Sequence, residues 1–149
     1  MSGQTSQRLY GNWMRPQALT IRGVGWRMAW LTLVGRARTA AFMEVYHHEP
    51  GTNPYELEIA LIDSLQPGEI PVFACSNPVR VAPWGELLST AARARGAAGA
   101  LMDGCTRDIK AIRAMGFPVF HGGIAPLDSK GRGKIVTIDA PVECGGVPV

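Results

Sequence analysis

The chain has 149 residues, 46% of them hydrophobic and 18% charged, with a formal net charge of +3. That length suits one domain, long enough to bury roughly 70% of its unfolded surface, and the balance excludes a disordered chain. The basic residues are scattered, so the sequence offers no basic face of the kind that nucleic-acid binding needs.

The polar start, Met1 to Arg8, has no apolar stretch resembling a signal peptide, and no run approaches the ~20 residues of a membrane span. Cys75, Cys105 and Cys144 are odd in number and widely spaced, which predicts free thiols in a reducing, cytoplasmic setting. Residues 1–28 lack a clean period and read as a poorly defined arm, leaving 29–149 as the domain proper.

Ala29–Val34 reads as a strand broken by Gly35, and Thr39–Tyr46 as a second strand. His47-His48-Glu49 invites a metal reading, but neighbouring loop side chains seldom converge on one ion. Asn53-Pro54 predicts a helix start, with Asn53 as the cap. Leu57, Ile59, Ala60, Leu61, Ile62 and Leu65 form its apolar face, and Glu56 and Glu58 favour its dipole. Pro67-Gly68 ends the helix, Ile70–Ala74 is a buried strand, and Ser76–Pro83 is a polar connection.

A second helix follows Trp84, with Leu87, Leu88, Ala91 and Ala92 on one face and Gly96 closing it. Ala98–Met102 is short and apolar, as a buried parallel strand is. Thr106 is expected to cap the next helix, which Gly116 ends before the strand Pro118–Phe120. The order β-α-β-α-β predicts an α/β fold with a parallel sheet. Gly131–Lys134 reads as a hairpin turn, Ile135–Ile138 as a strand, and Pro141–Val149 as the start of another.

Ligands of open parallel sheets bind beyond the carboxyl ends of the strands, where Asp103, Arg107 and Asp108 fall. Arginine clamps a carboxylate with paired hydrogen bonds, and Mg²⁺ or Mn²⁺ accepts one or two carboxylates while keeping its waters. The free amides at Gly85, Glu86, Leu87 and Leu88 add an anion site at a helix start. On spacing alone, an Arg107–Asp108 surface pair is an equal alternative.

The order of several pieces resembles the family of 4-hydroxy-4-methyl-2-oxoglutarate aldolase and the regulator of ribonuclease activity A, the RraA-like family. They are Leu33–Ala40, Pro67–Val72, Trp84–Leu88, Gly96–Asp108, Gly116–Phe120, Pro126, Gly131–Gly133 and Pro141–Val147, from about residue 30 to the end. The resemblance implies a β/β/α swivelling-domain fold and a trimer, sometimes doubled to a hexamer. It implies that Arg107 binds substrate, that Asp108 carries a divalent metal through its waters, and that Gly85–Leu88 hold the substrate carboxylate. Asp103 is then a second-layer group.

The implied reaction is retro-aldol cleavage of a 4-hydroxy-4-carboxy-2-oxo acid to pyruvate and a second oxo acid, with oxaloacetate decarboxylation as a side activity. The expected base is a water or hydroxide near the metal, with Glu86 as second choice. The family usually adds a helical segment before residue 30 and closing strands after the Gly-Gly-Val, so the chain is expected to lack both. The alternatives are a non-enzymatic protein that binds and inhibits a ribonuclease, and an inactive, truncated family member.

Overall fold

The computed structural model describes residues 18–21, 33–47, 49–76 and 80–149, the first segment by its backbone alone. Leu33–Glu44 forms the longest strand, β2, and Ala18–Ile21 (β1) pairs antiparallel with Leu33–Arg36. Gly35 does not break this strand, as the sequence suggested, but lies inside it. A Cβ there would stand 2.2 Å from the Gly68 carbonyl oxygen, so the residue serves close packing rather than a turn.

β2 pairs in parallel with β3 (Glu69–Ala74), β3 with β4 (Ala100–Met102), and β4 with β6 (Val119–Phe120). β8 (Gly133–Ile138) pairs antiparallel with the second half of β2, sharing that edge with β1. The parallel strands are joined by α1 (Glu56–Ser64), α2 (Glu86–Ala94) and α3 (Ile109–Met115). The β-α-β-α-β unit expected from Ile70 to Phe120 is therefore present, as β3 to β6.

The helices share one face of the sheet. Leu61 and Ile62 of α1, Ala92 of α2 and Ile112 of α3 bury against Phe42, Phe73, Trp84 and Met102. Each large apolar side chain so buried stabilises the fold by about 1.5–3 kcal/mol. Leu33, Ile70, Val72, Leu101 and Phe120 line the other face, with Cys144 and Val142 packed on them. Those two belong to a hairpin of β9 (Glu143–Cys144) and β10 (Val147–Pro148), so Pro141–Val149 is a strand pair rather than one strand. Gly145 and Gly146, with φ of 59° and 78°, make the two-residue turn that such a pair needs.

Other local expectations shift. Asn53 sits two residues ahead of the helix end, where its Oδ1 accepts the Tyr55 amide (3.0 Å); Tyr55 itself is the N-cap of α1. The apolar face of α1 is narrower than the sequence suggested: Leu61, Ile62 and Leu65 are buried, whereas Ile59 and Ala60 are exposed. Thr106 does not cap α3. It lies in β5 (Cys105–Thr106), paired with β7 (Gly123–Ile124), and Asp108 occupies the cap. Gly131–Lys134 turns into β8 rather than forming a hairpin, because β7 pairs β5 while β8 pairs β2. Ala29–Thr32, His48 and most of the 1–28 arm lie outside the described residues. Among those described, no helix is long and apolar enough to cross a membrane.

Candidate active site

Trp84 joins the two segments that carry the expected site. It is fully buried and meets Phe73 edge-on, with ring centroids 5.3 Å apart. Its indole N–H donates to Ser89 Oγ (2.8 Å), whose hydroxyl donates to the Gly85 carbonyl (2.9 Å). Its carbonyl accepts the Thr106 hydroxyl (3.1 Å) and the Arg107 amide (3.0 Å). A buried indole with its polar atom satisfied makes a rigid anchor. The start of α2 and the turn after β5 are thus fixed against each other at the carboxyl end of the sheet.

There the structure brings Gly85, Glu86, Arg107 and Asp108 together. Asp108 Oδ2 accepts the Glu86 amide (3.1 Å) and lies 3.7 Å from Arg107 Nε. Arg107 Nη1 donates to the Ala82 carbonyl, which fixes one edge of the guanidinium. A Cβ at Gly85 would stand 2.6 Å from Asp108 Oδ2 and 3.1 Å from Arg107 Nε, so only glycine permits this approach. Asp108 holds a left-handed backbone, φ 58°, costing on the order of 1 kcal/mol and typical of functional turns.

The Glu86 amide, expected to be open to an anion, is engaged by the protein's own carboxylate. The amides of Leu87 and Leu88 precede the first hydrogen bond of α2, Ser89 N–H to the Gly85 carbonyl (3.1 Å). Leu87 is 79% exposed, so this first turn faces outward.

Asp103 is not joined to that group by any hydrogen bond or ion pair among the described residues. Its Oδ1 accepts the Cys75 amide (2.6 Å) and its Oδ2 the Gly145 amide (3.1 Å), tying β3 to the C-terminal hairpin. The three cysteines are buried, and none forms a disulfide among the described residues. Burial, then Asp103, pushes the Cys144 thiol up to about 12 and the Cys75 thiol higher still, so both stay protonated.

Sequence reasoning missed Glu58, Tyr55 and Asp128. Glu58 was read as a dipole partner, yet it is 5% exposed and its Oε2 is buried without a hydrogen-bond partner among the described residues. Burial pushes its carboxyl up from 4.5 to about 7; Arg107 opposes the rise and Asp128 adds to it. The signal was present: Glu58, Leu61, Ile62 and Leu65 follow the i, i+3, i+4, i+7 stripe of a core-facing helix. A carboxylate on that stripe marks a buried charge.

No group of three or more His, Cys, Asp or Glu side chains among the described residues could hold a metal ion. Asp108, with its side chain 42% exposed, fits a single-carboxylate contact to a cation that keeps its waters.

The fold and this charged turn define a member of a known class. The chain matches the family described as RraA-like, Aldolase/RraA, over residues 14–149, and it belongs to that family. A Halalkalibacterium halodurans protein, named provisionally as a 4-hydroxy-4-methyl-2-oxoglutarate aldolase, is 37% identical over 83 residues. That match covers 56% of this chain and 39% of the relative, so the chain spans well under half of it. The solved Streptomyces coelicolor RraAS2, titled an unusual member of the RNase ES inhibitor RraA family, superposes with a TM-score of 0.68 at 26% identity, covering 91% of this chain and 62% of that one. The RNA-processing inhibitor RraA of Thermus thermophilis, at 23% identity and a TM-score of 0.63, shares the fold over 100% of this chain and 84% of its own.

Proposed function

We propose that the protein is a divalent-metal-dependent lyase that cleaves 4-hydroxy-2-oxo acids of the 4-hydroxy-4-methyl-2-oxoglutarate type to pyruvate and a second oxo acid. The observation that carries this reading is the meeting of Arg107 and Asp108 with the open first turn of α2. The aldolase relative supports the reaction type.

In this reading the amides of Leu87 and Leu88 hold the substrate carboxylate at the positive end of the helix. Arg107, fixed by the Ala82 carbonyl, presents its free edge to the 2-oxo oxygen. Mg²⁺ or Mn²⁺ held at Asp108 through water would add positive charge at the same oxygen. The C3–C4 bond breaks as the 4-hydroxyl loses its proton, and the electron pair moves onto the 2-oxo group. Arg107 stabilises the charge that develops there. A proton then adds at C3 to give pyruvate. A water or hydroxide beside Asp108 takes the hydroxyl proton in this reading, with Glu86, exposed in the first turn of α2, as the second choice. Oxaloacetate loses CO₂ through the same electron flow, so decarboxylation is a side activity.

We place the reaction in the cytoplasm and in a homotrimer or hexamer, with no nucleic-acid or membrane partner. Pyruvate release, followed with a lactate dehydrogenase couple in Mg²⁺ or Mn²⁺ and then in a chelator, tests the activity. Folded protein that releases no pyruvate under any of these conditions removes it. The second reading, a regulator that binds a ribonuclease, draws support from the inhibitor named in the Streptomyces structure. Its test is co-precipitation with an RNase E-type enzyme and loss of RNA cleavage.

A further inference from the structure

The charge of Arg107 acts on Tyr55 and Glu58, two groups outside the expected site, and the backbone brings Asp128 to the same end of the sheet. The Ala82 carbonyl accepts the Arg107 guanidinium, while the Ala82 amide donates to the Leu127 carbonyl (2.8 Å). Arg107 and the Leu127–Asp128 segment therefore hang on one residue, and a bridge between Val81 and Leu127 fixes them further. Asp128 Oδ1 accepts from Arg132 Nη1 (2.7 Å), and its Oδ2 lies 3.4 Å from the Tyr55 hydroxyl. Glu58 stands one helical turn after Tyr55, buried, with an unpartnered Oε2. The charges that act on it are Arg107 and Asp128, the latter paired with Arg132, and it acts in turn on Tyr55.

A buried, unpartnered acid is costly, and packing alone would be better served by a leucine on that stripe. We propose that Glu58, backed by Tyr55 and Asp128, is a positioning residue for the Arg107 anion site, and that its proton sets how much of the guanidinium charge remains for an oxo-acid anion. This rests on the reading of Arg107 as the anion-binding group. With the proton on, Glu58 is neutral and Arg107 acts at full charge. With the proton off, the carboxylate offsets the charge of Arg107 and the hold on the anion weakens. An anion at Arg107 therefore favours the protonated form and draws a proton in. Because burial raises the carboxyl to about 7, the exchange falls in the neutral range.

The test is calorimetric titration of the whole chain with oxalate, a stable dianion resembling an oxo-acid head, at saturating Mg²⁺. It is run at about pH 5.5 and about pH 8.5, and near neutrality in two buffers of different ionisation heat. The wild type should bind roughly three- to tenfold tighter at the lower pH, with net proton uptake near neutrality. Glu58→Gln should bind at the tight level at both pH values with no uptake, and Asp128→Asn should move the wild-type midpoint to lower pH. A folded Glu58→Gln that keeps the wild-type pH profile and proton uptake overturns the role of Glu58 while leaving the anion site standing. If Glu58→Gln does not fold, an Asp128→Asn midpoint that stays in place overturns it instead. Wild-type protein that binds no oxalate at either pH overturns the anion site itself, and this proposal with it.

Discussion

Each end of the sheet carries buried acid and arginine, and the two clusters are built differently. At the amino end, Glu69 is 5% exposed and its Oε2 accepts both Arg38 Nη1 (3.1 Å) and the Gln66 amide (2.9 Å). Arg38 also forks onto Asp139 at 2.7 and 2.8 Å and reaches the Ser64 hydroxyl at 3.0 Å. Asp139 and then Glu69 raise the guanidinium further, against the effect of burial. At the carboxyl end, Arg107 spends one edge on a carbonyl, Asp108 is partly exposed, and Glu58 is buried with an oxygen unmatched. The first cluster is closed and holds β2, β3 and β8 together. The second leaves charge over, as a site that must accept a charged ligand does.

The comparison breaks most readily by exchanging losses between the two ends. Arg107→Ala should reduce pyruvate release by about 10²–10³-fold while shifting stability by under about 1 kcal/mol. Arg38→Ala should do the reverse. It leaves Glu69 buried without its main partner and should cost about 2–4 kcal/mol in denaturant unfolding, with oxalate affinity unchanged. Matching losses of activity in both variants would erase the distinction.

Glu58 sharpens the contrast through pH. Its folded-state carboxyl is raised from 4.5 to about 7, so the folded chain holds the proton more tightly than the unfolded one. Stability is then intact below about pH 4.5 and falls as pH rises toward 7. Glu58→Gln should remove that fall, leaving the variant about 2–3 kcal/mol more stable than wild type at about pH 8 and equal at about pH 4. Unfolding curves at the two pH values check this.

Gly85→Ala is a smaller change. Its Cβ meets Asp108 Oδ2 at 2.6 Å, so the carboxylate must leave the Glu86 amide. The expected cost is about 1 kcal/mol of stability and roughly tenfold in activity, read from unfolding and pyruvate assays. The smallest effect belongs to the exposed Arg95–Asp63 pair at 2.8 Å, whose loss should change stability by under about 0.5 kcal/mol.

The parallel core was legible because its signals are local. Short apolar runs between glycines gave β3, β4 and β6, and Gly96 and Gly116 closed their helices where expected. Arg107, Asp108 and the start of α2 were legible because they follow strand ends. What escaped depended on contacts distant in sequence. Gly35 reads as a break until the Gly68 carbonyl is seen against it. Thr106 reads as a cap until the Trp84 carbonyl is seen to take its hydroxyl. Asp103 reads as one of three charges on a turn, but two backbone amides, one just past β3 and one in the β9–β10 turn, claim it. Glu58 carried a readable sign in its helical stripe, but its neighbours Arg107 and Asp128 lie 49 and 70 positions further along the sequence.

The most direct test of the open carboxyl-end site is pyruvate release from 4-hydroxy-4-methyl-2-oxoglutarate by wild type, Arg107→Ala and Asp108→Ala at equal folded concentration. Wild type should release pyruvate with Mg²⁺ and lose that release in a chelator, while both variants stay folded and lose it. Metal-dependent release that survives both substitutions would contradict the account.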